Sequence, residues 1–187
     1  RRFLKNVAGA GVGAGLGAAA WAGRLEALPL PPRRRQGAAL RILILGGTGF
    51  LGPHLVHVGV RRGHRLTILT RGQREPSLFE ADYAGVEHLV GDRAEPNGLA
   101  ALRGRTWDAV IETSGYRHEW TRDSTRLLRG AAGRYLYVSS TGVFFPYRTA
   151  GIPENGEIRL EDDPPQDPPS YGVMKARSEN EVRAAFP

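Results

Sequence analysis

The chain contains no cysteine among its 187 residues. That absence excludes a disulfide framework, a thiolate metal site, a cysteine nucleophile and a lipidated cysteine. It gives no indication of whether the protein resides in an oxidising or a reducing compartment. Lysine is nearly absent as well: Lys5 and Lys175 are the only two among 26 basic residues, so the other 24 are arginines. Because the chain uses arginine for almost every cation, each lysine it keeps is informative.

The positive charge is spread along the chain rather than clustered. The formal net charge is +7, and residues 1–22 contribute Arg1, Arg2 and Lys5 with no acid, so the remainder carries 7 − 3 = +4. A nucleic-acid-binding surface normally shows as a local basic run within the fold. Nucleic acid is therefore not expected to be a main partner. The length and the apolar share of 41% fit one folded domain.

The first residues combine a charged start, a Gly/Ala-rich apolar middle and the small-residue triplet Ala20-Trp21-Ala22. This layout is typical of a secretory signal with a cleavage site. The start, RRFLK, resembles a bacterial twin-arginine signal. We therefore expect a signal peptide at residues 1–22 and export by the twin-arginine pathway to the periplasm or another extracytoplasmic space.

The segment that follows, residues 23–39, mixes Pro, Arg and Gly without periodicity and reads as a linker. Two alternatives to export remain. One is an uncleaved membrane anchor, although residues 7–23 are barely long enough to span a bilayer. The other is a cytoplasmic protein.

From residue 40 onward, strand-like and helix-like segments alternate. Short apolar runs predict five strands, at residues 41–45, 65–70, 86–90, 108–113 and 134–140. Helical segments are predicted at residues 50–63, 99–104 and 119–130, with a last helix that starts near 170 or 171 after a Pro-rich loop. This alternation predicts an α/β domain with a doubly wound parallel sheet.

Three glycines, Gly46, Gly49 and Gly52, directly follow the first strand and open the first helix. At such a turn, one glycine permits a tight path, a second lets a pyrophosphate approach the main chain, and a third lets helix and strand pack closely. The free N–H groups and the positive end of the helix dipole then hold the anion. This context favours a dinucleotide site over a purely structural turn.

The segment GGTGFLG, residues 46–52, resembles the extended and atypical branches of the short-chain dehydrogenase/reductase superfamily, which include NAD(P)-dependent sugar epimerases and dehydratases. The resemblance covers residues 40–187 and implies a Rossmann-type NAD(P)-binding domain. It also implies that the family's C-terminal substrate region is missing here. The cofactor-binding residues it implies are Gly46, Gly47, Thr48, Gly49, Phe50, Leu51, Gly52, Asp92 and Ser114.

Two of the residues at the adenosine end have more than one interpretation. By the resemblance Asp92 would hydrogen-bond adenine, but it could simply end a strand in a turn. Arg71 follows the second strand, where NAD-preferring sites place an acid and NADP sites accept an arginine. The cofactor is therefore expected to be NADP or NAD, with NADP slightly favoured.

Tyr171 and Lys175 in SYGVMK are four residues apart and therefore lie on one helix face. A neighbouring ammonium and an oxidised nicotinamide both favour the phenolate form of a tyrosine. Tyr171 would exchange a proton with a substrate hydroxyl or carbonyl, while Lys175 would also hold the nicotinamide ribose. In the family's S-S-x-x-V-[YF] pattern, the second serine donates a hydrogen bond to the reacting oxygen, which implicates Ser140 as the third catalytic residue.

The sequence departs from the family pattern in two places. No clear Asn completes a catalytic tetrad, and Phe144 replaces the commoner Tyr after Val143. The leading hypothesis is an NAD(P)-dependent epimerase, dehydratase or oxidoreductase acting on a sugar or nucleotide-sugar-like substrate, whose site could be bordered by Phe79, Tyr116, Phe145 and Tyr147. The alternative is an NAD(P)-binding sensor or an RNA-associated protein without turnover.

No metal site is predicted, because HEWTR, residues 118–122, lacks the second His of a zinc motif. His54 and His57 are interpreted as helix surface residues. Family members often pair through the helix that carries the Tyr and Lys, so a homodimer is an open alternative to a monomer.

Overall fold

The computed structural model describes residues 37–147 and 150–187. The predicted signal peptide, residues 1–22, and residues 23–36 of the predicted linker lie outside the described residues. Export therefore stays a prediction. Among the residues that are described, no helix combines the length and the apolar character needed to cross a bilayer.

A five-stranded parallel sheet forms the centre of the domain, with the strand order β3-β2-β1-β4-β5. This confirms the predicted doubly wound α/β fold. In such sheets, ligands bind at the carboxyl ends of the strands where the order reverses, here between β1 and β4. The strands are β1 Arg41–Leu45, β2 Arg65–Thr70, β3 Glu87–Val90, β4 Ala109–Glu112 and β5 Tyr135–Tyr137.

Three α-helices accompany these strands: α1 Gly52–Arg61, α2 His118–Leu128 and α3 Tyr171–Ala185. Short 3-10 turns occupy Glu80–Gly85, Ala100–Leu102 and Thr141–Phe144. The first of these turns was not predicted, and the second stands where a helix over 99–104 was expected.

Several predicted elements are shorter than expected, and two of them border the candidate site. Helix α1 begins at Gly52 rather than at residue 50, because Phe50 and Leu51 belong to the turn that leaves β1. Strand β5 ends at Tyr137 rather than at residue 140, because Ser140 caps the following 3-10 turn.

The core has two layers, one on each face of the sheet, and alternation along β1 supplies both. Ile42 and Ile44 pack with Val56, Leu66 and Ile68 in one layer. Leu43 and Leu45 belong to the other layer, which also contains Leu69, Leu102, Trp107, Val110 and Leu128. Burial of β1 on both faces is what an apolar run in a parallel sheet requires.

The start of α1 lies directly on the turn that precedes it. A Cβ at Gly52 would overlap the carbonyl carbon and oxygen of Gly47 and would come within 2.7 Å of the Gly46 oxygen. These neighbours are main-chain atoms, so they cannot yield by changing rotamer. Gly46 itself has φ of 103°, which a side chain rarely adopts.

We predict that Gly52→Ala destabilises the domain by about 1–3 kcal/mol or more, because the added methyl group forces α1 away from the turn. Denaturant unfolding measures the change. Gly85→Ala is the matched control, since a Cβ there meets nothing within 4 Å. A free energy of unfolding for Gly52→Ala within about 0.5 kcal/mol of wild type would contradict the close contact.

Candidate cofactor and catalytic site

The glycine turn, residues 46–52, ends at a helix terminus that no side chain caps. Leu51 occupies the N-cap position without a side-chain hydrogen bond, and Pro53, which has no N–H, lies in the first turn. The first turn of α1 contains no acidic residue. The unpaired N–H groups of a helix start and its positive dipole end form an anion site. The N–H groups of Gly46, Gly49 and Gly52 already donate to main-chain carbonyl oxygens, so the other N–H groups of the turn and of the first turn of α1 are the candidate donors to a diphosphate.

The segment after β4 closes against this turn. Thr113 Oγ1 donates to the carbonyl oxygens of Leu45 and Gly46, each at 3.2 Å, and Ser114 Oγ donates to Leu45 O at 3.1 Å. A Cβ on Gly46 would lie 2.8 Å from Ser114 Cβ. The fold thus brings Ser114 beside the glycine turn, at the point where the strand order reverses.

At the adenosine end, Arg71 and Asp92 follow the neighbouring strands β2 and β3. Arg71 is exposed. Asp92 Oδ1 accepts a hydrogen bond from the Ala94 N–H at 3.0 Å, which is the turn role considered as its alternative interpretation. Its other carboxylate oxygen makes no hydrogen bond to a described residue, so this turn does not occupy both oxygens.

Tyr171 and Lys175 lie in the first two turns of α3. The helix is capped by Ser170, whose side chain accepts from the Val173 N–H at 3.5 Å. Tyr171 is half exposed, whereas Lys175 is only 4% exposed. Lys175 Nζ lies 6.0 Å from the centroid of the Tyr171 ring. The structure therefore places the ammonium behind the phenol, on the protein side.

The Lys175 ammonium is held by carbonyls and an aromatic ring. Nζ donates to Val138 O at 2.6 Å and to Gly115 O at 3.4 Å, and it lies 4.1 Å from the centroid of the Tyr137 ring. Burial lowers the pKa of Lys175, and the nearby Glu112 carboxylate partly opposes that effect. Burial also raises the pKa of Tyr137, whose neutral hydroxyl donates to Gly115 O at 3.2 Å.

Ser140 caps the 3-10 turn Thr141–Phe144, its Oγ accepting from the Gly142 N–H at 3.1 Å. A Cβ on Gly142 would lie 3.3 Å from Ser140 Oγ and 3.6 Å from Tyr171 Cδ1. Ser140 and Tyr171 thus both border the small residue Gly142. The three residues predicted to be catalytic share the carboxyl edge of the sheet, and their roles stay predictions.

The aromatic residues expected at the border of the site lie in three different places. Phe79 stacks on the His57 ring, with centroids 4.1 Å apart, and meets the His54 ring edge to face. Phe145 and Tyr147 follow the Ser140 turn, are exposed and contact each other with centroids 6.0 Å apart. Tyr116, after β4, is also exposed.

One part of the site was not predicted, the ion pair between Arg93 and Glu112. Both side chains are buried, and Arg93 Nη1 donates to Glu112 Oε1. Glu112 interrupts the apolar strand DAVIET, and a carboxylate in a buried strand requires a partner. A carboxylate in an apolar strand thus indicates a buried ion pair, but it does not identify the arginine that is its partner.

Within residues 37–147 and 150–187, no group of three or more His, Asp or Glu side chains is arranged to hold a metal ion.

Comparison with known proteins places this geometry in a family. A profile of the family described as "NAD dependent epimerase/dehydratase family" matches residues 42–186. The chloroplast stem-loop binding protein of 41 kDa b from Arabidopsis thaliana is 32% identical over 114 residues, which are 56% of this chain and 30% of that protein. UDP-glucose 4-epimerase from Azospirillum brasilense is 29% identical over 173 residues, covering 79% of this chain and 45% of that protein.

Among solved structures, the Bordetella bronchiseptica enzyme WbmG in complex with NAD and UDP superimposes with a TM-score of 0.62 at 18% identity. The match covers 79% of this chain and 50% of that one. The chain thus spans half or less of the length of these relatives. With the profile matched from the second residue of β1 to just beyond the end of α3, the chain belongs to the NAD dependent epimerase/dehydratase family.

Proposed function

We propose that the protein is an NAD(P)-dependent epimerase, dehydratase or oxidoreductase that acts on a sugar or nucleotide-sugar-like substrate. The observation that carries this proposal is the meeting of Ser140, Tyr171 and Lys175 at the same sheet edge as the glycine turn. Two further findings support the substrate class. One relative is named UDP-glucose 4-epimerase, and one structure with the same fold was solved with NAD and UDP.

In this proposal, the N–H groups of the glycine turn hold the diphosphate, and Lys175 holds the hydroxyls of the nicotinamide ribose. The bound cofactor would supply the acceptor and donor of the hydride. Tyr171 exchanges a proton between its hydroxyl and the substrate oxygen. The positive charge of Lys175 stabilises the negative charge that develops on the phenol oxygen, and Ser140 donates a hydrogen bond to the reacting oxygen.

We predict that Tyr171→Phe lowers kcat by about 100-fold or more, because no other proton donor takes its place. The dissociation constant for NAD should change little, since the ring remains. The protein is incubated with NAD and a panel of UDP-sugars, and both epimer formation and reduced nicotinamide are followed. Thr106→Val is the control, as it removes an exposed hydroxyl that precedes β4 at the opposite edge of the sheet. Equal kcat values for Tyr171→Phe and wild type would contradict the assigned role.

We predict that NAD affinity falls as the pH rises and that the fall begins below the usual lysine pKa of about 10.4. The reason is that burial lowers the pKa of Lys175, so the ammonium loses its proton earlier than a free lysine. A titration of NAD between about pH 7 and pH 10 measures the effect. Lys175→Met should bind NAD weakly with no such pH dependence. The same pH dependence in Lys175→Met would assign it to another group.

We further propose that NADP binds somewhat better than NAD, with Arg71 contacting the 2′-phosphate. Arg71→Ala should weaken NADP binding by about 10-fold while NAD binding changes less than about 2-fold, because only NADP carries the extra anion. Arg65→Ala is the control, since Arg65 is exposed at the opposite end of the same strand. Equal losses for the two cofactors would remove Arg71 from this role.

A second candidate function is NAD(P) binding without turnover, in a sensor or an RNA-associated protein. The observation in favour of this candidate is the relative that is named for stem-loop binding and is 32% identical to this chain. Tight cofactor binding with no product from any substrate, unchanged in Tyr171→Phe, would support this second candidate over the first.

A further inference from the structure

The ion pair between Arg93 and Glu112 is almost completely buried beside the proposed cofactor site. The Glu112 side chain is 0% exposed, and the Arg93 side chain is 8% exposed. Taking a carboxylate and a guanidinium out of water costs several kcal/mol for each ion, and replacing such a pair with apolar residues often leaves stability unchanged or raises it. Stability alone is therefore a weak reason for this pair.

Each member of the pair also makes hydrogen bonds to neighbouring groups. Glu112 accepts hydrogen bonds from Thr121 Oγ1 at 3.0 Å and from the Tyr135 hydroxyl at 2.7 Å, in addition to Arg93. Arg93 Nη2 donates to the carbonyl oxygen of Ser114 at 2.7 Å and to Ser114 Oγ at 2.8 Å. The planar guanidinium thus binds a carboxylate with one nitrogen and a candidate cofactor-binding residue with the other.

The segment that Arg93 grips, Thr113–Gly115, touches both halves of the proposed site. On one side, Thr113 and Ser114 hydrogen-bond the carbonyl oxygens at the end of β1 and the start of the glycine turn. On the other side, the Gly115 carbonyl accepts from Lys175 Nζ. A Cβ at Gly115 would come within 3.0 Å of Glu112 Oε1. The ion pair therefore lies directly under this segment.

Arg93 comes from a different part of the sheet than the segment it holds. It follows Asp92 in the loop after β3, whereas Thr113–Gly115 follows β4. Strands β2 and β1 separate β3 from β4 in the sheet. The Arg93 side chain thereby connects the loop that contains Asp92, the candidate adenine-binding residue, to the segment that contacts Lys175.

We propose that Arg93 is a positioning residue of the dinucleotide site: anchored on Glu112, it holds the Thr113–Gly115 segment where the glycine turn, the adenosine loop and Lys175 meet. This inference rests on the proposed function, because it concerns the same cofactor. It adds that one buried side chain sets the geometry of both ends of the dinucleotide. Arg93 acts through Ser114 and touches neither cofactor nor substrate.

The test separates this role from a purely structural one. Removing one charge leaves the other buried without a partner, so the main variant neutralises both: Arg93→Met/Glu112→Gln. Thr121 and Tyr135 donate to different oxygens of Glu112, so the Gln carbonyl accepts from one hydroxyl and its NH2 group donates to the other. The matched control is Arg105→Met/Glu87→Gln, which removes an ion pair of the same type whose side chains are 42% and 46% exposed. A third variant, Arg93→Lys, keeps a cation beside Glu112 but lacks the two-pronged geometry.

Each full-length variant is titrated with NAD, and its unfolding midpoint is measured in parallel. We expect Arg93→Met/Glu112→Gln to fold cooperatively and to bind NAD about 10-fold or more weakly than wild type, a change of about 1.4 kcal/mol. Arg93→Lys should fold and show a similar loss, whereas the exposed control pair should bind as wild type does.

Folded Arg93→Met/Glu112→Gln with a dissociation constant within about 2-fold of wild type would overturn the positioning role. If that variant does not fold, Arg93→Lys decides, and wild-type affinity in it would overturn the role equally. Failure of the wild-type chain to bind NAD is a different result, because it removes the proposed function itself.

Discussion

The contact between Gly52 and the main chain of Gly47 is the constraint on which the site depends. It lets α1 begin directly on the turn that ends β1, with no side chain between helix start and loop. The start of the helix consequently lies at the edge of the sheet where the strand order reverses. Everything else in the site is arranged around that edge, including the segment after β4, the Ser140 turn and the start of α3.

The Thr113–Gly115 segment joins these parts. It receives hydrogen bonds from Arg93 below and from Lys175 above, and it donates to the carbonyl oxygens that begin the glycine turn. Because the segment bonds to all three neighbours, a displacement of one of them would affect the others. The segment also helps to hold Lys175, which is buried and donates to the Gly115 carbonyl.

Local patterns predicted the parts of the structure that local physics determines. The apolar runs gave the five strands, and the glycine spacing gave the turn that opens α1, because backbone sterics and burial are written in neighbouring residues. The strand order and the Arg93–Glu112 pair depend on contacts between distant segments, so no spacing revealed them. Ser140 and Asp92 were only partly predictable. The sequence identified both as candidate site residues, but the hydrogen bonds that they accept within their turns depend on backbone geometry that residue propensity does not fix.

The proposed function depends above all on the glycine turn holding the diphosphate of a dinucleotide whose nicotinamide end reaches Lys175. A crystal structure of the protein grown with NAD tests this most directly. We expect diphosphate density against the glycine turn, residues 46–52, and the nicotinamide ribose within hydrogen-bonding distance of Lys175 Nζ. A bound dinucleotide elsewhere on the fold, or a diphosphate at the turn with the nicotinamide directed away from α3, would contradict it.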